Sequence, residues 1–320
     1  MRGRALRARR AAGARRLRAD RAGAARRGLV PVTRRTIRRG AHAKINVFLR
    51  VLAAREDGYH DLESLVVPIS LADRITVRRA ERLHVDVRGA PLAAEVPAGG
   101  LNLALVAALA LADACPGAGG ALVEIEKRIP VAAGLGGGSA DAAATLLALN
   151  ELWGCDLDPA TLAHIAEGIG SDVPAMLAQG PVLVFGRGDR LAPAEVAPLW
   201  WVLVTFDFGV RSPDAYRWWD EEGGSRGPDP EPLLEAAAAG DAEALGPMLF
   251  NDLEGPVIAR HPRVGEAKER LVAAGALGAV MSGSGSSVVG LARDRTHAEG
   301  VARRLDGAVV AAGPPPAGEG

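Results

Sequence analysis

The sequence predicts an α+β fold, and three observations lead there. Strand-like and helix-like segments are mixed without strict βαβ alternation. Apolar residues make up 48% of the 320-residue chain, enough for a sizeable buried core. A cluster of glycines follows a strand-like segment and opens a long apolar helix. Aromatic residues are only 4%, so the core is expected from Ala, Val and Leu. No stretch reaches the roughly 18 uninterrupted apolar residues of a membrane span. The best candidate, Leu101–Ala114, carries Asn102 and Asp113 and reads as a buried helix.

The elements follow in order. Residues 1–39 form an Arg-rich segment, expected to be a disordered tail. Ordered structure is expected from about Ala41, with a half-buried strand over Ala43–Leu49. Further strands are expected at Leu62–Ser70, Asp73–Arg78 and Leu83–Val87, then a helix over Leu101–Ala114 and a strand over Ala121–Arg128. Ser139–Trp153 reads as a helix, as does Pro159–Glu167, and Pro181–Phe185 as a strand. Asp189–Pro198, with prolines and no periodicity, reads as a linker. Beyond it come a strand at Trp200–Phe206, helices near Pro213–Asp220, Pro232–Ala239 and Arg263–Ala274, and two strands flanking a Ser/Gly turn at 282–287. The division expected is 40–190 and 199–312, with Gly313–Gly320 frayed.

Charge is balanced overall but not along the chain. Residues 1–40 hold fifteen Arg against one acid, Asp20, and the remainder is net acidic by the same margin. An inert tail, a nucleic-acid-binding arm and an organellar transit peptide compete for this segment. Transit peptides are also Ser-rich, and the first Ser here is Ser64. The inert tail is preferred. The net acidity of the rest opposes a phosphate-backbone surface, so no nucleic-acid partner is expected. Cys115 and Cys155 lie far apart in sequence and match no metal or redox spacing. With no apolar segment after the basic start, a reducing cytoplasm is the expected location.

The most specific local feature is Pro130-Val131-Ala132-Ala133-Gly134-Leu135-Gly136-Gly137-Gly138-Ser139-Ala140. Backbone free of Cβ atoms can curl its N–H groups around an anion, and the N-terminus of the next helix favours phosphate. Ser139 can cap that helix or offer a hydroxyl to phosphate or Mg²⁺. The Walker pattern fails, because Gly138 is followed by Ser139 and Ala140 instead of Lys-Ser/Thr. The dinucleotide fingerprint lacks its early βαβ unit. Phosphate binding without a Walker lysine is the reading that remains.

This loop resembles the second motif of the GHMP kinases, a family that includes galactokinase, homoserine kinase and the mevalonate kinases. Ala43-Lys44-Ile45-Asn46 is similar to the first motif and Met281-Ser282-Gly283-Ser284-Gly285-Ser286 to the third. Arg55-Glu56-Asp57-Gly58-Tyr59-His60-Asp61-Leu62 resembles a segment of the members that phosphorylate a cytidyl-diphosphate polyol in the non-mevalonate isoprenoid pathway. Gly170–Pro174, Phe185–Gly188 and Phe250–Glu254 agree with it. Ala132 and Ala133 depart from the pattern, standing where glycines are usual.

The resemblance implies a two-domain fold, with a ribosomal S5 domain 2-like N-terminal part and a ferredoxin-like C-terminal part. It implies an ATP-dependent phosphotransferase that uses Mg²⁺. Asp172 would be the proton acceptor and Lys44 the cation beside it, stabilising the developing alkoxide. Read alone, Asp172 is as well explained as a helix-start residue, and Lys44 as a solvated strand lysine. Asn46, Tyr59, His60, Ser212 and Tyr216 are implied on the substrate side, with His60 reading the cytosine. Asn102, Leu103, Lys127 and the loop from Pro130 to Ala140 are implied on the ATP side, although Lys127 equally suits an exposed strand end. Asp141, in the first turn of the second helix, either touches Mg²⁺ or suits the helix dipole, the latter being preferred, and no side-chain metal cluster is expected. The partner is a small molecule, and the chain is expected as a monomer or homodimer. The rival readings are another GHMP kinase, of homoserine or mevalonate type, and an RNA-binding protein.

Overall fold

The computed structural model describes residues 35–89, 96, 102–224 and 226–315. Two long strands, β1 (Thr36–Ala54) and β2 (His60–Arg79), form an antiparallel hairpin at the centre of a seven-stranded sheet. Gly58 closes the turn at φ +80°, a conformation glycine adopts without steric cost. Most of the Arg-rich segment lies outside the described residues. Thr36–Arg39, expected in the tail, already belong to β1, paired with β2 at Val77, Arg78, Thr76 and Ile75.

One edge of β2 serves two partners. Its first half pairs with β5 (Val182–Gly186) and its second half with β4 (Ala121–Glu126), which in turn pairs in parallel with β3 (His84–Arg88). β2 is continuous where the sequence suggested two strands. The expected break lies beside a bulge in β2, where Ile69, Ser70 and Leu71 stand opposite Ala43 alone, between the pairs His42–Ala72 and Lys44–Pro68. Arg190–Pro193, expected as linker, forms β6 and closes a hairpin on β5.

A second sheet of four strands has the order β11 (Val309–Gly313), β7 (Leu199–Val204), β10 (Val288–Ala292), β9 (Gly278–Met281), all antiparallel. This is the ferredoxin-like arrangement. A two-residue strand, β8 (Phe250–Asn251), leaves that region to pair with β1 at Phe48 and Leu49.

Against the first sheet lie α1 (Leu103–Ala114) and α2 (Gly137–Trp153), packed through Ala104, Ala107, Ala108, Ala142, Ala143 and Leu146. Small residues let the two backbones approach closely, which explains a core with few aromatics. α3 (Pro159–Glu167) and the short α4 (Val173–Leu177) follow. The second half carries α5 (Ser212–Glu221), α6 (Glu231–Ala239), α7 (Ala242–Leu245), α8 (Glu254–Arg260), α9 (Pro262–Ala273) and α10 (Arg295–Ala302). Of these, α7, α8 and α10 were not expected, because each is too short for its apolar period to show. Ala43, Ile45 and Val47 share one core cluster with Leu65, Val67, Trp201, Leu203 and Val289. The alternate residues Lys44 and Asn46 therefore point to the opposite face of β1, where the site forms.

The cysteines correct the sequence reading. Cys115, which ends α1, and Cys155, just beyond α2, are joined in a disulfide with their Cα atoms 5.4 Å apart. The fold brings together thiols whose sequence spacing suggested no partnership. Among the described residues no helix is long and apolar enough to cross a membrane.

Candidate active site

The glycine-rich loop owes its shape to close contacts. Gly136, the N-cap of α2, is left-handed at φ 70°, and a Cβ there would lie 3.0 Å from Cγ of Lys44. Gly134, at φ +77°, would put a Cβ 2.4 Å from the carbonyl oxygen of Ser282. The loop is pinned on both sides, by Lys44 N–H donating to Leu135 O (2.9 Å) and Ser287 N–H to Ala133 O (3.0 Å). Three segments distant in sequence therefore meet at one place. Gly136 offers no capping side chain, so the opening N–H groups of α2 are free to meet an anion. Ser139 is the third helical residue and does not cap, contrary to one of its expected roles.

Lys44 is buried, and its ammonium donates to Asn46 Oδ1 at 2.7 Å and lies 3.9 Å from Asp172 Oδ2. Burial holds its pKa below the ordinary lysine value, and the carboxylate of Asp172 offsets part of that shift. It is not a solvated strand lysine. The Asp172 side chain is half exposed, and although it precedes α4 it makes no capping hydrogen bond. It stands at the helix start as that reading expected, but without a capping bond its carboxylate is left open to the cleft. Asn46 Nδ2 donates to Ser64 Oγ (2.8 Å), and its backbone N–H donates to Ser282 Oγ (3.3 Å).

Asn251 was overlooked as a site residue. Its Nδ2 donates to the carbonyls of Met281 (2.8 Å) and Gly283 (2.7 Å), holding the third glycine loop against Lys44. A Cβ on Gly283 would lie 3.0 Å from Lys44 Nζ. The segment Phe250–Glu254 was noticed for its resemblance, but only the fold shows what its asparagine clamps.

At the other end of the same cleft, Tyr59 is exposed, with the guanidinium of Arg187 over its ring at 5.2 Å. His60 stacks on Tyr216 at 4.9 Å between ring centroids and meets Asp220 Oδ1 through Nε2 at 2.9 Å. Burial, and then the nearby Asp172 carboxylate, push the Tyr216 phenol above its usual range. Ser212 Oγ lies 3.0 Å from Ser284 Oγ. The cleft encloses about 750 Å³ and collects Lys44, Asn46, Tyr59, His60, Asp172, Ser212 and Tyr216, with Ala132, Gly134 and Gly136 of the loop.

Asn102, Leu103 and Lys127 do not line it. Nor do Pro130, Val131, Ala133, Leu135, Gly137, Gly138, Ser139 and Ala140. Asn102 caps α1, its Oδ1 accepting from the N–H groups of Ala104 (3.0 Å) and Leu105 (3.3 Å). Leu103 packs below Gly138. Lys127 is buried, not an exposed strand end, and donates to Asp73 and to Asp141 Oδ2 (2.9 Å). Asp141, read as a dipole residue, is instead the buried partner of that lysine. Burial, opposed by Lys127 and reinforced by Asp73, pushes its carboxyl up to about 8.

Two sheets, two interlocking glycine loops and a lysine–aspartate pair at the floor of a cleft place the chain among the GHMP kinases. The family models described as "GHMP kinases N terminal domain" and "GHMP kinases C terminal" match residues 102–180 and 233–311. A curated relative from Symbiobacterium thermophilum, named 4-diphosphocytidyl-2-C-methyl-D-erythritol kinase, is 45% identical over 79% of this chain and 90% of its own. Its counterpart from Deinococcus radiodurans is 43% identical over 83% and 87%. A crystal structure titled 4-(cytidine 5'-diphospho)-2C-methyl-D-erythritol kinase superposes with a TM-score of 0.75 at 38% identity, covering 87% of this chain and 99% of that one. A homoserine kinase from Cytophaga hutchinsonii shares the fold at 19% identity and a TM-score of 0.64, covering 87% and 94%. The chain belongs to the 4-diphosphocytidyl-2-C-methyl-D-erythritol kinase family.

Proposed function

We propose that the chain transfers the γ-phosphoryl group of ATP to the 2-hydroxyl of 4-diphosphocytidyl-2-C-methyl-D-erythritol. The products are the 2-phosphate and ADP, in the non-mevalonate route to isoprenoid precursors. The observation that carries this reading is that one cleft holds both the Lys44–Asp172 pair and the His60–Tyr216 aromatic wall. The first suits phosphoryl transfer to an alcohol and the second suits a flat base.

In the reaction Asp172 accepts the hydroxyl proton, and the freed oxygen bonds to the γ-phosphorus. The bond from that phosphorus to the bridging oxygen breaks, and ADP leaves with the electron pair. Lys44 stabilises charge on the attacking oxygen. Asn46 fixes Lys44 through its Oδ1. Within the loop from Pro130 to Ala140, the free N–H groups that open α2 receive the phosphates, and Asn102, Leu103 and Lys127, which do not line the cleft, support the elements that carry it. Tyr59, His60 and Tyr216 hold the cytosine, and Ser212 offers a hydroxyl to the substrate.

Mg²⁺ is the ion such transfers ordinarily use. Among the described residues no three His, Cys, Asp or Glu side chains converge on a metal position, and Asp141 is held by Lys127. The side chains do not form a cage for Mg²⁺, so it fits here only as a companion of the nucleotide phosphates.

The test is ADP release with the cytidyl substrate, set against homoserine and mevalonate. Turnover of the cytidyl compound alone is expected. Turnover of either other alcohol at a comparable kcat/KM would overturn the assignment.

A further inference from the structure

Asp220 has no role in the account above, yet it touches the residue assigned to the base. One face of α5 carries Ser212, Tyr216, Trp219 and Asp220, at the three- and four-residue spacings that bring helical side chains into line. Three of these meet His60. Tyr216 stacks on its ring at 4.9 Å and 21°, Trp219 meets it edge-on at 5.6 Å, and Asp220 Oδ1 lies 2.9 Å from Nε2. The two aromatic contacts fix the ring plane, leaving the position of the proton as its remaining freedom.

A carboxylate only accepts hydrogen bonds, so its partner nitrogen must carry the hydrogen. Nδ1 of a neutral ring is then a lone-pair acceptor. Among the described residues Nδ1 has no hydrogen-bond partner, and His60 lines the cleft. Asp220 has no other ion-pair partner among them either, since neighbouring Arg217 is engaged by Asp214 and Glu221.

We infer that Asp220 is a positioning residue that holds His60 in its Nε2–H tautomer, so that Nδ1 accepts from the exocyclic amine of cytosine and repels the carbonyl that uracil carries there. The inference rests on the reading that this cleft takes a cytidyl substrate. It adds a reason why that base is preferred. An acceptor facing a carbonyl leaves two lone pairs opposed, a mismatch of the kind that discriminates strongly.

The experiment compares kcat/KM for the cytidyl and uridyl methylerythritol diphosphates at about pH 8, where an ordinary imidazole is neutral. Wild type is measured with Asp220→Asn, Asp220→Ser, His60→Ala and the double variant His60→Ala/Asp220→Asn. In Asp220→Asn the amide can donate to Nε2, which frees the ring to carry its hydrogen on Nδ1. The cytidyl-to-uridyl ratio should fall by about tenfold or more, through KM rather than kcat. Asp220→Ser should lower it too, and neither change should matter once His60 is Ala. Nitrogen NMR of the His60 ring, assigned by its loss in His60→Gln, should show Nε2 protonated in wild type and a shift toward Nδ1 in Asp220→Asn. A folded Asp220→Asn enzyme whose ratio stays within about threefold of wild type overturns the inference. So does a loss shared equally by both substrates, or a wild-type ring protonated on Nδ1. A wild-type enzyme that ignores the cytidyl substrate would sink the proposed function instead, and the NMR result would still report on the tautomer.

Discussion

Lys44 and Asp172 face each other across 3.9 Å, the lysine buried and the carboxylate half exposed. The asymmetry suits the roles proposed for them. An ammonium withdrawn from water acts strongly on charge that develops beside it. A carboxylate open to the cleft can reach an incoming hydroxyl. Asp172→Asn keeps the shape and removes the proton-accepting charge, so kcat should fall by roughly 10²–10⁴ with little change in KM for ATP. Lys44→Met should also lower kcat, and the double variant should be less than additive, since the two act as one unit. Steady-state kinetics with folding checked by circular dichroism decides it. A folded Asp172→Asn enzyme within about threefold of wild-type kcat would exclude this base.

The same burial gives a pH signature. The Lys44 pKa lies below the ordinary lysine value of 10.5, with burial as the main cause. In the role proposed for Lys44 the charged form is the working one, so activity should decline as pH rises through that lowered value. The alkaline limb of kcat should therefore begin below the ordinary lysine range. Lys44→Arg keeps the charge at any accessible pH and should abolish the limb, whatever it costs in absolute rate. A limb that persists unchanged in the arginine variant would assign it to another group.

A third prediction concerns Asp141, whose carboxyl is pushed up to about 8 by burial and by Asp73, with Lys127 opposing. One ammonium faces two buried carboxyls. Asp73 also accepts backbone N–H groups from Arg128 and Ile129, so the extra proton belongs on Asp141. A folded-state value above the unfolded 3.8 means that the native chain binds more protons between the two values. That contribution to stability is present below 3.8 and is lost as pH rises through about 8. Asp141→Asn imitates the protonated acid and should flatten the fall of Tm over that window. Parallel Tm curves for variant and wild type would refute the assignment.

Much of this site was legible because glycine and lysine leave signatures that survive without coordinates. The loop from Pro130 to Ala140 stood out as glycine-rich backbone opening a helix, and Lys44 and Asn46 as polar residues in an apolar strand. What stayed hidden depends on contacts across the fold. Lys127 reads the same from sequence whether it meets solvent, nucleotide or two carboxylates 54 and 14 residues away. Asn251 sits in a two-residue strand that no periodicity could reveal. The halves of β2 were read apart at Leu71 and Ala72, while the bulge that keeps them one strand, Ile69–Leu71 opposite Ala43, is a property of the pair.

The disulfide offers a test independent of catalysis. Cys115 and Cys155 close a loop of 40 residues that contains β4, the glycine-rich loop and α2. Chain-entropy arguments value such a closure at about 3–4 kcal/mol. Reduction, or Cys155→Ser, should lower the unfolding free energy by up to that amount. The kcat of the folded enzyme should persist, because none of the cleft contacts passes through either sulfur. Denaturant unfolding with and without reductant measures it. Identical curves would mean that the thiols are unbonded in solution.

The last prediction contrasts two small residues of one loop. Ala132 and Gly134 both have positive φ, at 55° and 77°, yet only one of them tolerates a Cβ. The Ala132 side chain sits against Gly209, where a second Cβ would come within 2.6 Å of it. The missing side chain of Gly209 makes the room that lets alanine stand in place of the usual glycine. Gly134 has no such relief. A Cβ there would lie 2.4 Å from Ser282 O and 2.8 Å from Gly285 O, both backbone atoms of the opposing loop. Ala132→Gly should be nearly neutral in Tm, since relief of about 1–2 kcal/mol of left-handed strain is offset by greater freedom of the unfolded chain. Gly134→Ala must push the two loops apart at the point where they bracket Lys44. It should lower Tm, and it should lower kcat/KM at least tenfold through misplacement of the reacting groups, the scale expected of a shift of about 1 Å. Gly209→Ala should resemble Gly134→Ala in Tm. A Gly134→Ala protein with wild-type Tm and kcat/KM would show that the loops do not press together as described.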